Sequence, residues 1–251
     1  MGQEMYELVK EIFPICRSIT GNGVRKTLEI LKKYAPDICV HEVPSGTNVF
    51  DWVVPAEWNI EDAYVENEDG ERVIDFKTSN LSVVGYSYPM DEVMELDELK
   101  KIIHTQPEQP EVIPYATSYY NQYSGFCMSQ NKLDELKSGK YHAVIKSSIN
   151  PQGSLTYGEA FIPGESDEEI LISTYVCHPS MANNECSGPA VSVFLQKYIK
   201  SLAKRKYSYR FIYIPETIGS ITYLSKHYEE LKEKTVAGLN LSCVGKDTNY
   251  F

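Results

Sequence analysis

Apolar positions open the chain at helical spacing. Met5, Leu8, Val9 and Ile12 recur every three or four residues, as do Val24, Leu28, Leu31 and Tyr34. Two amphipathic helices are therefore predicted, separated by the turn residues Thr20-Gly21-Asn22-Gly23. The rhythm then becomes that of extended chain. Val49 to Val54 form a run stopped by Pro55, and Ala63-Tyr64-Val65 and Val73-Ile74-Asp75-Phe76 flank Asn67-Glu68-Asp69-Gly70, whose Asp-Gly step signals a hairpin. Leu81 to Tyr86 reads as a further strand. A short helix near Leu96 to Ile103 leads into His104-Thr105-Gln106-Pro107-Glu108-Gln109-Pro110, where two prolines forbid regular structure. Ser129 is expected to cap a helix running to Gly139, ahead of strands Tyr141 to Ile149 and Ser154 to Ile162.

From Ile170 onward the pattern alternates strand with helix, which predicts a parallel sheet covered by helices. Ile170 to Val176 is the first strand, and the helix behind it is read to open at Ser187-Gly188-Pro189, with Ser187 as its cap. Its stripe is Val191, Phe194, Leu195, Tyr198, Ile199 and Leu202. Tyr209 to Ile214 is the second strand, Ile218 to Tyr228 the next helix, and Val236 to Val244 the third strand. The fold class expected is α/β, a mostly parallel sheet flanked by helices.

Composition narrows the function classes. A chain of 251 residues buries roughly 70% of its unfolded surface on folding, so neither disulfides nor metals are needed to hold a core, and any metal is there for chemistry. Asp and Glu number 35 against 24 Lys and Arg, and the one dense basic run, Lys204-Arg205-Lys206, is short, so no nucleic-acid partner is expected. The acidic N-terminus lacks the basic and apolar segments of an export signal, and no apolar run approaches the ~18 residues of a membrane span. Cys16, Cys39, Cys127, Cys177, Cys186 and Cys243 form no Cys-x-x-Cys pair. A cytoplasmic protein with reduced thiols, mostly small buried hydrophobes, is the expectation.

Ligands of open α/β sheets bind beyond the carboxyl ends of the strands. Here those ends carry Cys177-His178-Pro179-Ser180-Met181-Ala182-Asn183-Asn184-Glu185-Cys186, Pro215-Glu216-Thr217 and Gly245-Lys246-Asp247. Parallel strands bring an imidazole, carboxylates and amide oxygens to one edge, which is donor chemistry suited to zinc, with Glu216 placed to take a proton from water. The bland reading stays open beside it: a lone histidine after a strand also serves as a hydrogen-bonded structural residue, and Glu216 also favours the helix N-terminus behind it. Other chemistries are excluded. Gly21-Asn22-Gly23 lacks the third glycine of a dinucleotide loop and follows a helix. Glu185 stands where a nucleophile elbow requires glycine, and Ser129-Gln130-Asn131-Lys132 reads as a capped helix start. Cys177 and His178 are adjacent, and strand alternation is expected to turn them to opposite faces.

The segments Ser45 to Trp52, Ala56 to Ile60, Thr117 to Tyr120, Ser154 to Glu159, Val176 to Ser180 and Thr217 to Ile221 together resemble a bacterial family of zinc aminopeptidase-like proteins, some labelled polysaccharide biosynthesis proteins. The resemblance runs the length of the chain. It implies an aminopeptidase core, 1–45 and 124–251, interrupted by a small β-rich domain, 46–123, and a core that relatives continue past this point with a further ligand histidine. It also implies roles by position. His178 matches a zinc ligand, Asn184 falls where the family has a metal-binding Asp, Glu216 matches the general base, Thr217 stands at a second ligand carboxylate, and Asp247 lies one residue past an expected ligand. Glu185 is expected to replace the missing carboxylate only if its loop shifts. Two zinc ions held roughly 3.5–4 Å apart need an anionic bridge that a neutral amide cannot supply, so one zinc ion at most is expected. His104, Tyr119 and Tyr120 match substrate-lining positions. The function implied is metal-assisted hydrolysis of a peptide or small amide, with homo-oligomer formation left open. The alternative is a catalytically silent module, on the same fold, that binds a peptide or glycan-linked partner.

Overall fold

The computed structural model describes residues 1–246. In chain order its elements are α1 (Gly2–Ile12), α2 (Asn22–Tyr34), β1 (Cys39–Pro44), β2 (Asn48–Val49), β3 (Trp52–Val53), β4 (Glu57–Asn67), β5 (Arg72–Asp75), β6 (Met90–Glu95) and α3 (Leu96–Leu99). There follow β7 (Ile103–His104), β8 (Phe126–Cys127), α4 (Gln130–Asp134), β9 (Lys140–Asn150), β10 (Ser154–Ile162), β11 (Glu169–Tyr175), α5 (Ser187–Ser201), β12 (Ser208–Ile214), α6 (Ile218–Lys234) and β13 (Thr235–Asn240). They form two compact units: Met1–Glu57 with the chain from Pro151 onward, and Trp58–Asn150.

The first unit is built on a five-stranded sheet in the order β1-β10-β12-β11-β13. Its β12–β11 and β11–β13 pairings are parallel, as the strand–helix alternation predicts, while β1 and β10 extend the sheet antiparallel. Central β12 is buried almost throughout, with Phe211 and Tyr213 fully enclosed. The stripes Leu8 and Ile12 of α1, Val24, Leu28 and Leu31 of α2, and Ala190, Val193 and Phe194 of α5 pack over the sheet as one core. Burying a Leu, Val or Phe side chain contributes about 1.5–3 kcal/mol, so this seam carries the unit's stability. β13 lies last in the sheet order, with Val236 and Leu239 50% and 56% exposed.

The second unit pairs β5-β4-β9-β6 around a separate core that includes Val65, Ile74, Leu99, Phe126 and Ile145. The predicted Asp-Gly hairpin joins β4 to β5, and Gly70 takes the φ of +76° that such a turn requires. Ser129 caps α4 as read, its hydroxyl accepting the Lys132 N–H.

Several local expectations are corrected. Leu81 to Tyr86 contribute a 3₁₀ turn and isolated bridges rather than a strand, because Val83 and Gly85 reach only Phe126 and Thr117. The Val49 to Val54 run folds back on itself as β2–β3, with Phe50 at a φ of +54°. The third strand stops at Asn240 instead of Val244. Ser187 does not cap α5, because a turn of π-helix, Ala182–Cys186, already precedes the helix, and its hydroxyl donates to the Asn183 carbonyl. Among the described residues no helix is long and apolar enough to cross a membrane.

Candidate functional site

The parallel strands place their carboxyl ends side by side, and the chain leaving each one supplies a wall of the site. β11 ends at Tyr175, and the Val176 N–H still pairs with the Ile214 carbonyl of β12. Beyond that point strand alternation lapses. Cys177 and His178 consequently do not diverge as expected: the Cys177 sulfur lies 3.8 and 4.0 Å from the two ring nitrogens of His178.

His178 is 5% exposed and held on both sides. Its Nδ1 is 2.9 Å from Glu185 Oε2, and its Nε2 is 3.1 Å from Glu216 Oε2. Glu185 comes from the π-helical turn, where the Glu185 and Cys186 N–H groups both donate to the Met181 carbonyl. That extra residue rotates the Glu185 side chain inward, and it is 1% exposed. Glu185 backs the imidazole at Nδ1. Behind it lies Arg17, fully buried, whose Nε sits 3.3 Å from Glu185 Oε1 while donating to the His178 carbonyl at 2.8 Å. Arg17 also donates to the Ile12 carbonyl and the Thr27 hydroxyl. The row is thus Arg17, Glu185, His178, Glu216, from core to solvent.

Glu216 is half exposed, and its backbone N–H donates to Cys177 Sγ at 3.1 Å. Burial pushes the Cys177 thiol well above its ordinary range, so it stays neutral. The next residue, Thr217, has φ +56° and ψ −82°, a conformation close to a γ-turn and strained for a β-branched side chain. Glu216, Thr217, Tyr175, Ser173, Ser220, Ile214 and Asn240 line a cleft of about 310 Å³ at this sheet edge. The Tyr175 ring stands edge-on to His178 at 5.3 Å, and its hydroxyl pairs with Ser242.

The donor set fits one small cation. His178 has a carboxylate on each ring nitrogen, Glu185 at Nδ1 and Glu216 at Nε2, and a carboxylate backing one nitrogen is usual for a metal-binding histidine. Glu216 Oε2, 3.1 Å from His178 Nε2, stands beside the position that a ligand of this nitrogen would take. Asn184 adds a buried Oδ1 with no hydrogen-bond partner, while its amide nitrogen contacts Cys243 Sγ. Cys177, His178 and Glu185 also cluster closely enough to share an ion. However, a sulfur nearly equidistant from both ring nitrogens lies off either lone-pair axis. A second ion does not fit, because Asn184 is neutral and Thr217 offers only a hydroxyl.

The remaining residues singled out from the sequence fall elsewhere. Asp247 lies outside the described residues, and neighbouring Lys246 is exposed. His104, Tyr119 and Tyr120 belong to the second unit. There His104 Nε2 pairs with the Tyr123 hydroxyl at 2.9 Å, Tyr119 pairs with the Tyr115 hydroxyl at 3.0 Å and packs on Tyr86, and Tyr120 is 50% exposed. Sequence reasoning missed Arg17. No spacing signal marks it, since its partner His178 lies 161 positions away.

Comparison with known proteins bears on the family and the fold. The model of the family described as "Domain of unknown function (DUF4910)" matches residues 6–251. A candidate polysaccharide biosynthesis protein with an aminopeptidase-like domain, from Clostridium acetobutylicum, is 57% identical over 97% of this chain and 55% of its own length. A crystal structure of a candidate peptidase from the same organism superposes with a TM-score of 0.95 at 56% identity, over 98% of this chain and 57% of that one. The chain therefore spans little more than half the length of these relatives. A zinc aminopeptidase from Bacillus subtilis superposes with a TM-score of 0.64 at 12% identity, over 97% of this chain and 69% of that chain, a likeness of fold.

Proposed function

Because the chain belongs to the DUF4910 family and has the aminopeptidase-like fold, we propose that it is a zinc-dependent hydrolase of amide or peptide bonds, working with a single ion. The observation that carries this reading is the contact of Glu216 with buried His178 Nε2 at 3.1 Å, Glu216 itself lining a cleft at the carboxyl edge of parallel strands. His178 Nε2 would hold the ion, with Asn184 Oδ1 as a neutral oxygen donor and Asp247 as a further carboxylate. Bound zinc supplies Lewis acidity toward a carbonyl oxygen and toward water. Glu216, half exposed, takes the proton from the attacking water and returns it to the leaving amine. Glu185 and Arg17 hold the imidazole still meanwhile. A substrate enters through the cleft, whose polar side chains Ser173, Ser220 and Asn240 suit a peptide or a small amide.

Metal analysis of protein purified without chelators, with an aminoacyl-amide assay, tests the proposal. One zinc per chain is expected. Glu216→Gln should lower kcat roughly 10²–10⁴-fold while the metal content stays at one. Protein with no zinc and no turnover overturns the reading.

A second reading has its own observation. Both ring nitrogens of His178 already face carboxylates, and neutral Asn184 and Thr217 replace two ligand carboxylates. A silent domain that binds a peptide or glycan-linked partner without a metal accommodates those facts, and zinc uptake appearing only in Asn184→Asp would favour it.

A further inference from the structure

The cleft beside Glu216 carries polar groups that the proposed chemistry does not use. Its volume of about 310 Å³ stands at the small end of the ~300–1,000 Å³ typical of ligand sites, room for one residue-sized group rather than a length of chain. Ser173 of β11 and Asn240 of β13 are register partners in the parallel pairing, and both line this space. Ser220 reaches it from the first turn of α6. Tyr175, two residues on from Ser173, spends its hydroxyl on Ser242. The side chains of Ser173, Ser220 and Asn240, by contrast, have no hydrogen-bond partner among the described residues. Glu216 is the one carboxyl group among the described lining residues, and no basic side chain is there.

Such a lining discriminates among side chains. An apolar one takes water away from Ser173, Ser220 and Asn240 and returns no hydrogen bond, which costs more than a contact merely not made. An acidic one stands against a second carboxyl group, Glu216, with no basic side chain to offset it. A basic one pairs with Glu216 and occupies the oxygens that the proposed base needs. A hydroxyl is neutral, but its single polar atom cannot serve three groups. A carboxamide can: it returns an N–H and a carbonyl oxygen to the amide of Asn240, and the two serine hydroxyls take up its remaining donor and acceptor. We propose that Ser173, Ser220 and Asn240 form a subsite for a neutral carboxamide side chain, asparagine or glutamine, with Asn240 setting the preference. The inference names the substrate class of the proposed hydrolase and rests on that reading for its purpose; binding at the subsite requires neither metal nor turnover.

Free asparagine, aspartate and leucine are suitable probes, since they share their α-amino and α-carboxyl groups, are nearly equal in size, contain no peptide bond and differ in the side chain alone. Titrating each into the full chain while following the backbone amide resonances of Ser173, Ser220 and Asn240 reports occupancy of the cleft. Asparagine should shift these resonances and bind roughly 10–100-fold more tightly than leucine or aspartate, the worth of two neutral hydrogen bonds. Asn240→Leu keeps the volume and removes both polar atoms, and there asparagine should fall to the affinity of leucine. Asn240 is exposed, so the exchange removes no core packing. Equal binding of the three probes, tighter binding of leucine or aspartate, no binding at this cleft, or an asparagine preference that survives in Asn240→Leu each overturns the inference. The wild-type order of affinities decides the matter even if the variant does not fold. Protein that prefers asparagine but holds no zinc and turns nothing over would instead remove the proposed function and leave the subsite standing.

Discussion

Thr217 is a β-branched residue with φ at +56°, and it separates the base candidate Glu216 from the first turn of α6. Such conformations cost about 1–3 kcal/mol and survive only where the surroundings impose them. Thr217 is exposed, so its side chain contributes little packing in return. Thr217→Gly removes the Cβ that creates the strain, against about 0.5–1 kcal/mol of added freedom in the unfolded chain. We expect the midpoint of urea unfolding to rise by the equivalent of about 1 kcal/mol, while hydrolytic kcat drops as Glu216 loses its fixed direction. A variant less stable than wild type would show that the strain belongs to something other than this bend. At this scale the sequence showed which groups matter more readily than how they are aimed. Position after a strand singled out His178 and Glu216, and the fold brings the two side chains together. The Cys177 and His178 pair was misjudged because β11 ends two residues before Cys177, and alternation holds only within a strand.

At the scale of elements, periodicity was a dependable guide wherever one face is buried against a sheet. The stripes of α1 and α2 and the runs of β11 and β12 could be read, since burial imposes a repeat of 3.6 or 2 on the residues themselves, whereas the stripe read for α5 was misplaced: its buried face runs through Ala190, Val193, Phe194 and Ile199, and Tyr198 is 55% exposed. It failed where apolar residues are buried without a regular element, as at Val83 and Val84, and where an irregular turn replaces a cap, as before Ser187. The entry to α5 is set by contact rather than by capping. A Cβ on Gly188 would lie 2.3 Å from the Leu241 carbonyl oxygen and from the Thr174 hydroxyl, two atoms already hydrogen-bonded to each other. Gly188→Ala must push the helix off the sheet, a strain of about 1–3 kcal/mol. Because the same helix start carries Glu185, the variant should lower both the unfolding midpoint and zinc uptake. Unchanged stability would mean that the helix start has more room than this packing gives it.

For the whole molecule, the decisive contacts join residues far apart in sequence, and no local pattern announces them. Arg17 reaches across 161 positions to His178. Arg210 of β12, nearly buried, meets Glu169 of β11, Glu159 of β10 and Glu230 of α6, fastening three strands and a helix with one guanidinium. The Glu169 contact is bidentate, a geometry suited to arginine and poorly matched by lysine. The alternation of strands and helices foretold the parallel pairing of β11, β12 and β13; the antiparallel half arises from β10, just before β11, and β1, far earlier in the chain, whose partners no spacing reveals.

Among the described residues, β13 stands last in the order of its sheet. β13 is a parallel strand, a class normally covered on both faces, yet Val236 and Leu239 stand half in water. In colloidal terms that rim is a seed: a second copy of the chain can add its own strand there, as unguarded sheet edges do. Sedimentation at increasing protein concentration should therefore show reversible self-association, and Leu239→Lys, a charge placed on the rim, should abolish it. A chain that stays monomeric at every concentration would mean that the rim is shielded after all. Such self-association is set at β13 rather than by the acidic surface.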